Sequence, residues 1–79
     1  ELTANQISLF PNPATQSFQI ESEKAIDYIQ VVDITGKLIV EYKNPASKLL
    51  INTSDWKKGS YFVQITQGKT VISGTVLIQ

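Results

Sequence analysis

The sequence has no Cys, no His and no Arg. Without Cys there is no disulfide to staple the chain, and without His or Cys most zinc and haem sites are excluded, along with most nucleophile–base pairs. Charge of one sign is missing too: 7 Lys are offset by 7 Asp and Glu, for a formal net charge of +0. A neutral chain lacking a basic stripe has little counterion-release drive toward nucleic acid, and it lacks the side chain best suited to bidentate phosphate grip. The longest apolar runs are a few residues, far short of the ~20 that span a bilayer as a helix, so no membrane-spanning segment is expected. No signal peptide or lipidation motif is visible. The absence of Cys suits an extracellular home but also many cytosolic domains. A chain of 79 residues buries only roughly 60% of the surface it would expose unfolded. With no metal or disulfide to help, stability must come from a compact core of β-branched and aromatic side chains, and these the sequence has.

Residues Glu1 to Gln6 are polar and aperiodic, and are expected to be the end of a linker; residues 7–79 are expected to form one domain. From Ile7 onward, short β-rich runs alternate with turn signals every ~8–12 residues, the pattern of an all-β sandwich or barrel. The runs are Ile7 to Phe10, Ser17 to Glu21, Ile26 to Asp33, Lys37 to Lys43, Leu49 to Thr53, Ser60 to Gln67 and Thr70 to Ile78. Pro11-Asn12-Pro13 cannot continue a ladder, because both prolines lack a backbone donor. Thr35-Gly36 and Gly68-Lys69 read as tight hairpins, and Asn44-Pro45 ends the fourth run. Gly74, inside the last run, is expected to mark a bulge that switches which residues face inward. Ser54 to Lys58 can make at most one helical turn, capped by Ser54 or Asp55.

Period-two alternation assigns a core of Ile7, Leu9, Phe18, Ile20, Ile29, Val31, Leu38, Val40, Leu49, Ile51, Tyr61, Val63 and Ile65, with polar residues such as Gln30, Glu41, Asn52 and Gln64 between them. No window gives a helical stripe. Four apolar residues fall on the outer positions: Val32, Ile39, Leu50 and Phe62. Clustered, they would make a patch able to receive a partner; dispersed, they express ordinary β-propensity.

Candidate chemistry is sparse. Asp33-Ile34-Thr35-Gly36 superficially resembles the phosphorylated aspartate loop of cation-pumping ATPases, but phosphoryl transfer also needs a magnesium site and a nucleotide pocket. Turn chemistry accounts for each of its residues. Gly68-Lys69-Thr70 resembles the end of a phosphate-binding loop, yet Val63 stands where that loop needs a Gly, and no helix follows. Asn52-Thr53-Ser54 matches a glycosylation acceptor by a tripeptide common by chance. Glu21 and Glu23, at i and i+2 of one strand, have no partner to shift them toward acid–base work. Trp56, Tyr28, Tyr42 and Tyr61 could build a sugar-stacking platform if coplanar and exposed; Trp56 better suits a plug at the open end of a sandwich, and Tyr61 the core. No catalytic, metal or cofactor site is expected.

The turn motifs also have an order. A hydrophobic strand runs into Leu9-Phe10-Pro11-Asn12-Pro13-Ala14. Ile29-Gln30-Val31-Val32-Asp33 precedes Thr35-Gly36-Lys37. Ile51-Asn52-Thr53-Ser54 leads through Trp56-Lys57-Lys58-Gly59 to Ser60-Tyr61-Phe62-Val63, and a last hairpin follows. In this order the motifs resemble the type A C-terminal sorting domain of the type IX secretion system, over Ile7 to Gln79. The resemblance implies an immunoglobulin-like sandwich of about seven strands at the C-terminus of a larger exported cargo. It further implies passage of that cargo across the inner membrane by its own signal peptide, recognition of the domain by an outer-membrane translocon, and removal by a sortase-like peptidase with anchoring of the cargo at the surface of a Gram-negative cell. The family often has Lys or Arg just before the last hydrophobic residues. Thr75 stands there in this chain, so charge-based recognition of the terminus does not carry over.

The expected recognition surface is the last strand, Gly74, Thr75, Val76, Leu77, Ile78 and Gln79, presented as an edge for β-augmentation. Pro11, Asn12, Pro13, Asp33, Gly36, Lys37, Gly59 and Tyr61 are expected to shape turns first and touch a partner second. The rival reading is a carbohydrate-binding or adhesive sandwich appended to a secreted hydrolase.

Overall fold

The computed structural model describes residues 7–79; the linker end expected over residues 1–6 lies outside them. The described chain is all strand and turn: β1 (Ile7–Phe10), β2 (Ser17–Ser22), β3 (Tyr28–Asp33), β4 (Leu38–Lys43), β5 (Lys48–Asn52), β6 (Gly59–Gln67) and β7 (Thr70–Ile78). The Pro-Asn-Pro, Asn-Pro and Gly turns delimit them within a residue or two of where the sequence places them. Two antiparallel sheets form, in the orders β1-β2-β5 and β4-β3-β6-β7. Because β2 pairs with β5 and β3 with β6, the chain crosses between the layers repeatedly, as in immunoglobulin-like sandwiches.

The core lies between the layers. Ile7, Leu9, Phe18, Ile20 and Ile51 come from the smaller sheet, and Ile29, Val31, Tyr61, Val63, Ile65, Ile72, Val76 and Ile78 from the larger. Each alternates with a more exposed neighbour, so one face of each sheet is removed from water. Leu49, Val40, Tyr42 and Trp56 pack partly buried against this cluster.

Three local expectations are corrected. The irregularity lies in β4, opposite the step from Val31 to Val32, and not at Gly74: Val31 pairs with Val40 and Val32 with Leu38, so Ile39 has no direct partner. An extra residue in one strand reverses the alternation beyond it. Leu38 therefore turns outward, 44% exposed, while Ile39 packs against the core. β7 pairs with β6 in unbroken register from Thr70 to Ile78, and Gly74 is an inner-face position with no side chain. Ser54 to Lys58 forms a turn and no helix. It is Asn52 that organises this turn: its Oδ1 accepts from the Ser54 amide at 2.9 Å and the Ser54 hydroxyl at 2.7 Å, an Asx arrangement.

Candidate recognition end of the sandwich

The turn from Asp33 to Lys37 is built around one carboxylate. Asp33 Oδ1 accepts from the Thr35 amide at 2.9 Å, the Thr35 hydroxyl at 2.6 Å and the Lys37 amide at 3.0 Å. The Gly36 amide donates to the Asp33 carbonyl at 3.0 Å, and Gly36 takes φ +89°, a region costly for any side-chain-bearing residue. The Thr35 hydroxyl bond, followed by the Lys37 and Thr35 amides and the Lys37 charge, holds the Asp33 carboxyl below its ordinary range. The ATPase-like tetrapeptide is thus a hairpin turn.

Cross-strand pairing of Asp33 with Tyr61 sets this turn beside the segment Lys57-Lys58-Gly59-Ser60. The Tyr61 hydroxyl donates to the Lys57 carbonyl at 2.5 Å, tying the end of that turn to the strand it feeds. The Tyr61 ring lies 4.9 Å from Trp56, and Trp56 meets Phe18 edge-on at 6.1 Å. The indole therefore closes this end of the sandwich, as its place between a short strand and a Gly turn suggested. A cleft of about 200 Å³ runs along Ile34, Lys58 and Tyr61, and a second hollow of about 250 Å³ opens over Trp56, Lys37 and Asp55.

Pro11-Asn12-Pro13-Ala14 does more than stop a strand. The Asn12 Nδ2 donates to the Thr75 carbonyl at 2.9 Å, and the Leu77 amide donates to Asn12 Oδ1 at 3.0 Å. The Ala14 amide donates to the Leu77 carbonyl and the Gln79 amide to the Ala14 carbonyl, both at 2.8 Å. Flanked by prolines that cannot donate, Asn12 uses its carboxamide as a substitute peptide group, and Ala14 makes a parallel bridge to Ile78. This strap lies along the outer edge of β7. The Gly74 to Gln79 edge expected to be open is therefore covered from Thr75 onward.

Pro11, Asn12, Pro13, Asp33, Gly36, Lys37, Gly59 and Tyr61, far apart in sequence, thus converge with the end of β7 on one end of the sandwich; Gly59 pairs with Ile78 directly. Ordering by motif gave no sign of this convergence, and the strap had one legible signal, an Asn locked between two prolines. Lys37, Lys57 and Lys58 are exposed at the same end. The one ion pair among the described residues lies elsewhere, between Lys48 and Glu21 at 3.8 Å. Glu23 falls beyond the end of β2 and does not share its face.

The outer apolar residues separate. Val32 and Phe62 are direct cross-strand neighbours, and Leu38, in place of Ile39, adjoins Val32. Leu50, 65% exposed, sits on the other sheet opposite Gln19. Nor do the aromatics form one platform. Trp56 and Tyr61 pack inward. Tyr42 pairs with the buried Ile29, and Tyr28 lies on the opposite face, donating its hydroxyl to Glu41 Oε2 at 2.7 Å. That bond, with some burial and the nearby Glu41 charge, raises the Tyr28 phenol. Gly68-Lys69 closes a hairpin, its Gly68 amide donating to Asp27 Oδ2 at 2.6 Å. No group of three or more potential metal ligands occurs among the described residues.

No curated protein matches the chain. The family model of the secretion system C-terminal sorting domain matches residues 8–79, which spans every motif turn described above. The chain accordingly belongs to the family of type IX secretion system C-terminal sorting domains, signals borne by secreted or cell-surface proteins that engage the type IX machinery.

Proposed function

We propose that this domain is the removable address of a cargo fused to its N-terminus: read at the outer-membrane translocon after the cargo reaches the periplasm of a Gram-negative cell, then cut off by a sortase-like peptidase as the cargo is anchored at the surface. The observation that carries this reading is the gathering of the family's motif turns and the end of β7 into one end of the sandwich, held by bonds internal to the domain. A label for varied cargo must fold without help from what it labels. This one is held by its apolar core and internal hydrogen bonds, with no disulfide. Residues 7–79 act as a single unit, and the exposed Lys57 and Lys58 at the Ile34 cleft, with Lys37 at the neighbouring hollow over Trp56, form the face offered to the machinery.

The test fuses residues 1–79 to a reporter carrying a signal peptide, in a host with this pathway. Delivery of the reporter to the surface, with loss of the domain, is the expected result. Periplasmic accumulation of the folded, uncut fusion refutes the reading.

A further inference from the structure

The strap leaves part of β7 bare. The two-residue hairpin sets Gln67 opposite Thr70, so Thr70, Ile72, Gly74, Val76 and Ile78 exchange backbone bonds with β6, while Val71, Ser73, Thr75, Leu77 and Gln79 direct theirs away. The observed bonds of the Thr75 and Leu77 carbonyls and the Leu77 and Gln79 amides to Asn12 and Ala14 agree with that phase. Among the described residues, nothing bonds the amides and carbonyls of Val71 and Ser73 or the amide of Thr75, which lie along the open edge.

The other edges are guarded in the ways that keep strands from pairing with strangers. β1 has four residues. β4 carries Glu41, Lys43 and the irregularity at Ile39. β5 carries Lys48. β7, nine residues reading Thr-Val-Ile-Ser-Gly-Thr-Val-Leu-Ile, has no charge, no Pro and no bulge. Among the described residues its only guard is the strap, which stops at Thr75.

We infer that the Val71–Thr75 edge accepts an extended, uncharged strand of a partner protein, adding a fifth strand to the larger sheet. The side chains specify that strand. Residues opposite Ser73 and Thr75 fall on the outer face, where Phe62 lies beside Thr75 and Val71 is 59% exposed; small or β-branched residues fit there. The residue opposite Gly74 points to the inner face, where Gly74 has no side chain between Ile72 and Val76, both buried; an apolar side chain fits that gap. A charged strand would have no counter-ion along this edge. The inference rests on the sorting reading for its partner, which lies in the secretion machinery, and main-chain recognition suits a receptor that must grip many different domains.

The test exploits the phase of the ladder. Ser73→Pro removes an amide that points away from β6, so it breaks no internal bond while blocking the edge. Wild-type and variant are compared as reporter fusions, with the fold of each 79-residue chain checked by circular dichroism and thermal melting. The expected result is a folded variant with surface delivery reduced about tenfold or more. The double variant Val71→Lys, Ser73→Lys keeps every backbone group and gives β7 the guard its counterparts have; it is expected to fall in the same direction, and it decides the matter if Ser73→Pro does not fold. Wild-type delivery with unimpaired delivery of the folded edge variants overturns this inference and leaves the sorting reading intact. Failure of the wild-type itself overturns both. Sedimentation of the wild-type chain is expected to show a monomer; a dimer that Ser73→Pro dissolves would assign the edge to a second copy and overturn the partner strand.

Discussion

Asn12→Ala removes the strap's side-chain grip on β7 while leaving the two prolines and the Ala14 bridge in place. Two hydrogen bonds are lost, one to the Thr75 carbonyl at 2.9 Å and one from the Leu77 amide at 3.0 Å. Intramolecular bonds contribute about 0.5–1.5 kcal/mol each, and since both of these are exposed, water replaces part of each one; the expected loss is about 1–2 kcal/mol in total. For a domain of this size each kcal/mol corresponds to roughly 4–8 °C in Tm. Urea melts give the global loss, and amide hydrogen exchange gives its location: the Leu77 amide should exchange about fivefold faster or more, while Ile72 and Gly74, bonded to β6, should speed up by no more than the global loss requires. Asn12→Asp separates the two bonds. It retains an acceptor for Leu77 but sets an anion against the Thr75 carbonyl, so Leu77 should stay protected although stability falls. Unchanged Leu77 exchange in Asn12→Ala would show that the carboxamide does not cover the edge, and the bare stretch of β7 would then have to be redrawn.

Phe18→Ala, at a site with no exposure and with Trp56 edge-on against it, should cost about 3–5 kcal/mol and red-shift Trp56 fluorescence; a loss under about 1 kcal/mol would contradict the placing of the core. Ile39→Ala should cost about 1–2 kcal/mol, below the full-burial range because the residue is half-buried, whereas Leu38→Ala should stay within about 0.5 kcal/mol; denaturant midpoints in the reverse order would remove the β4 irregularity. Asp33→Asn keeps an acceptor but loses the charge. Because folding lowers the Asp33 pKa, the ionised carboxylate stabilises the folded state fully above the unfolded value of about 3.9 and loses that contribution as pH falls through the folded value. The wild-type advantage over Asp33→Asn in urea melts should be constant near neutrality and shrink below about pH 4; a gap that widens in acid would reverse the assigned sign.

Strand positions were legible because turns are local chemistry. Pro11-Asn12-Pro13, Asp33 to Gly36, Asn44-Pro45 and Gly68-Lys69 each bend the chain for reasons contained in a few residues, and between them β-branched and aromatic side chains alternate with polar ones. The family resemblance was legible for the same reason, since the order of those turns is a property of the sequence. What alternation could not supply was phase after an irregularity. Leu38 and Ile39 are both apolar, and only the pairing of β4 against β3 decides which turns inward. Gly74 showed the converse error: a glycine in a strand permits a bulge but does not require one, and nine residues of continuous pairing with β6 overrode the local signal.

By itself, then, the sequence determined that this is an all-β chain with no disulfide, where its turns fall, and which family it resembles, because each depends on composition or on neighbours along the chain. Tertiary structure alone decided that the distant turns share one end, that Asn12 and Ala14 cover the last residues of β7, and that no other described residue pairs with the edge from Val71 to the Thr75 amide. Those outcomes depend on which strands end up adjacent and on which way each backbone group points once they do, and neither is encoded in any short stretch of residues.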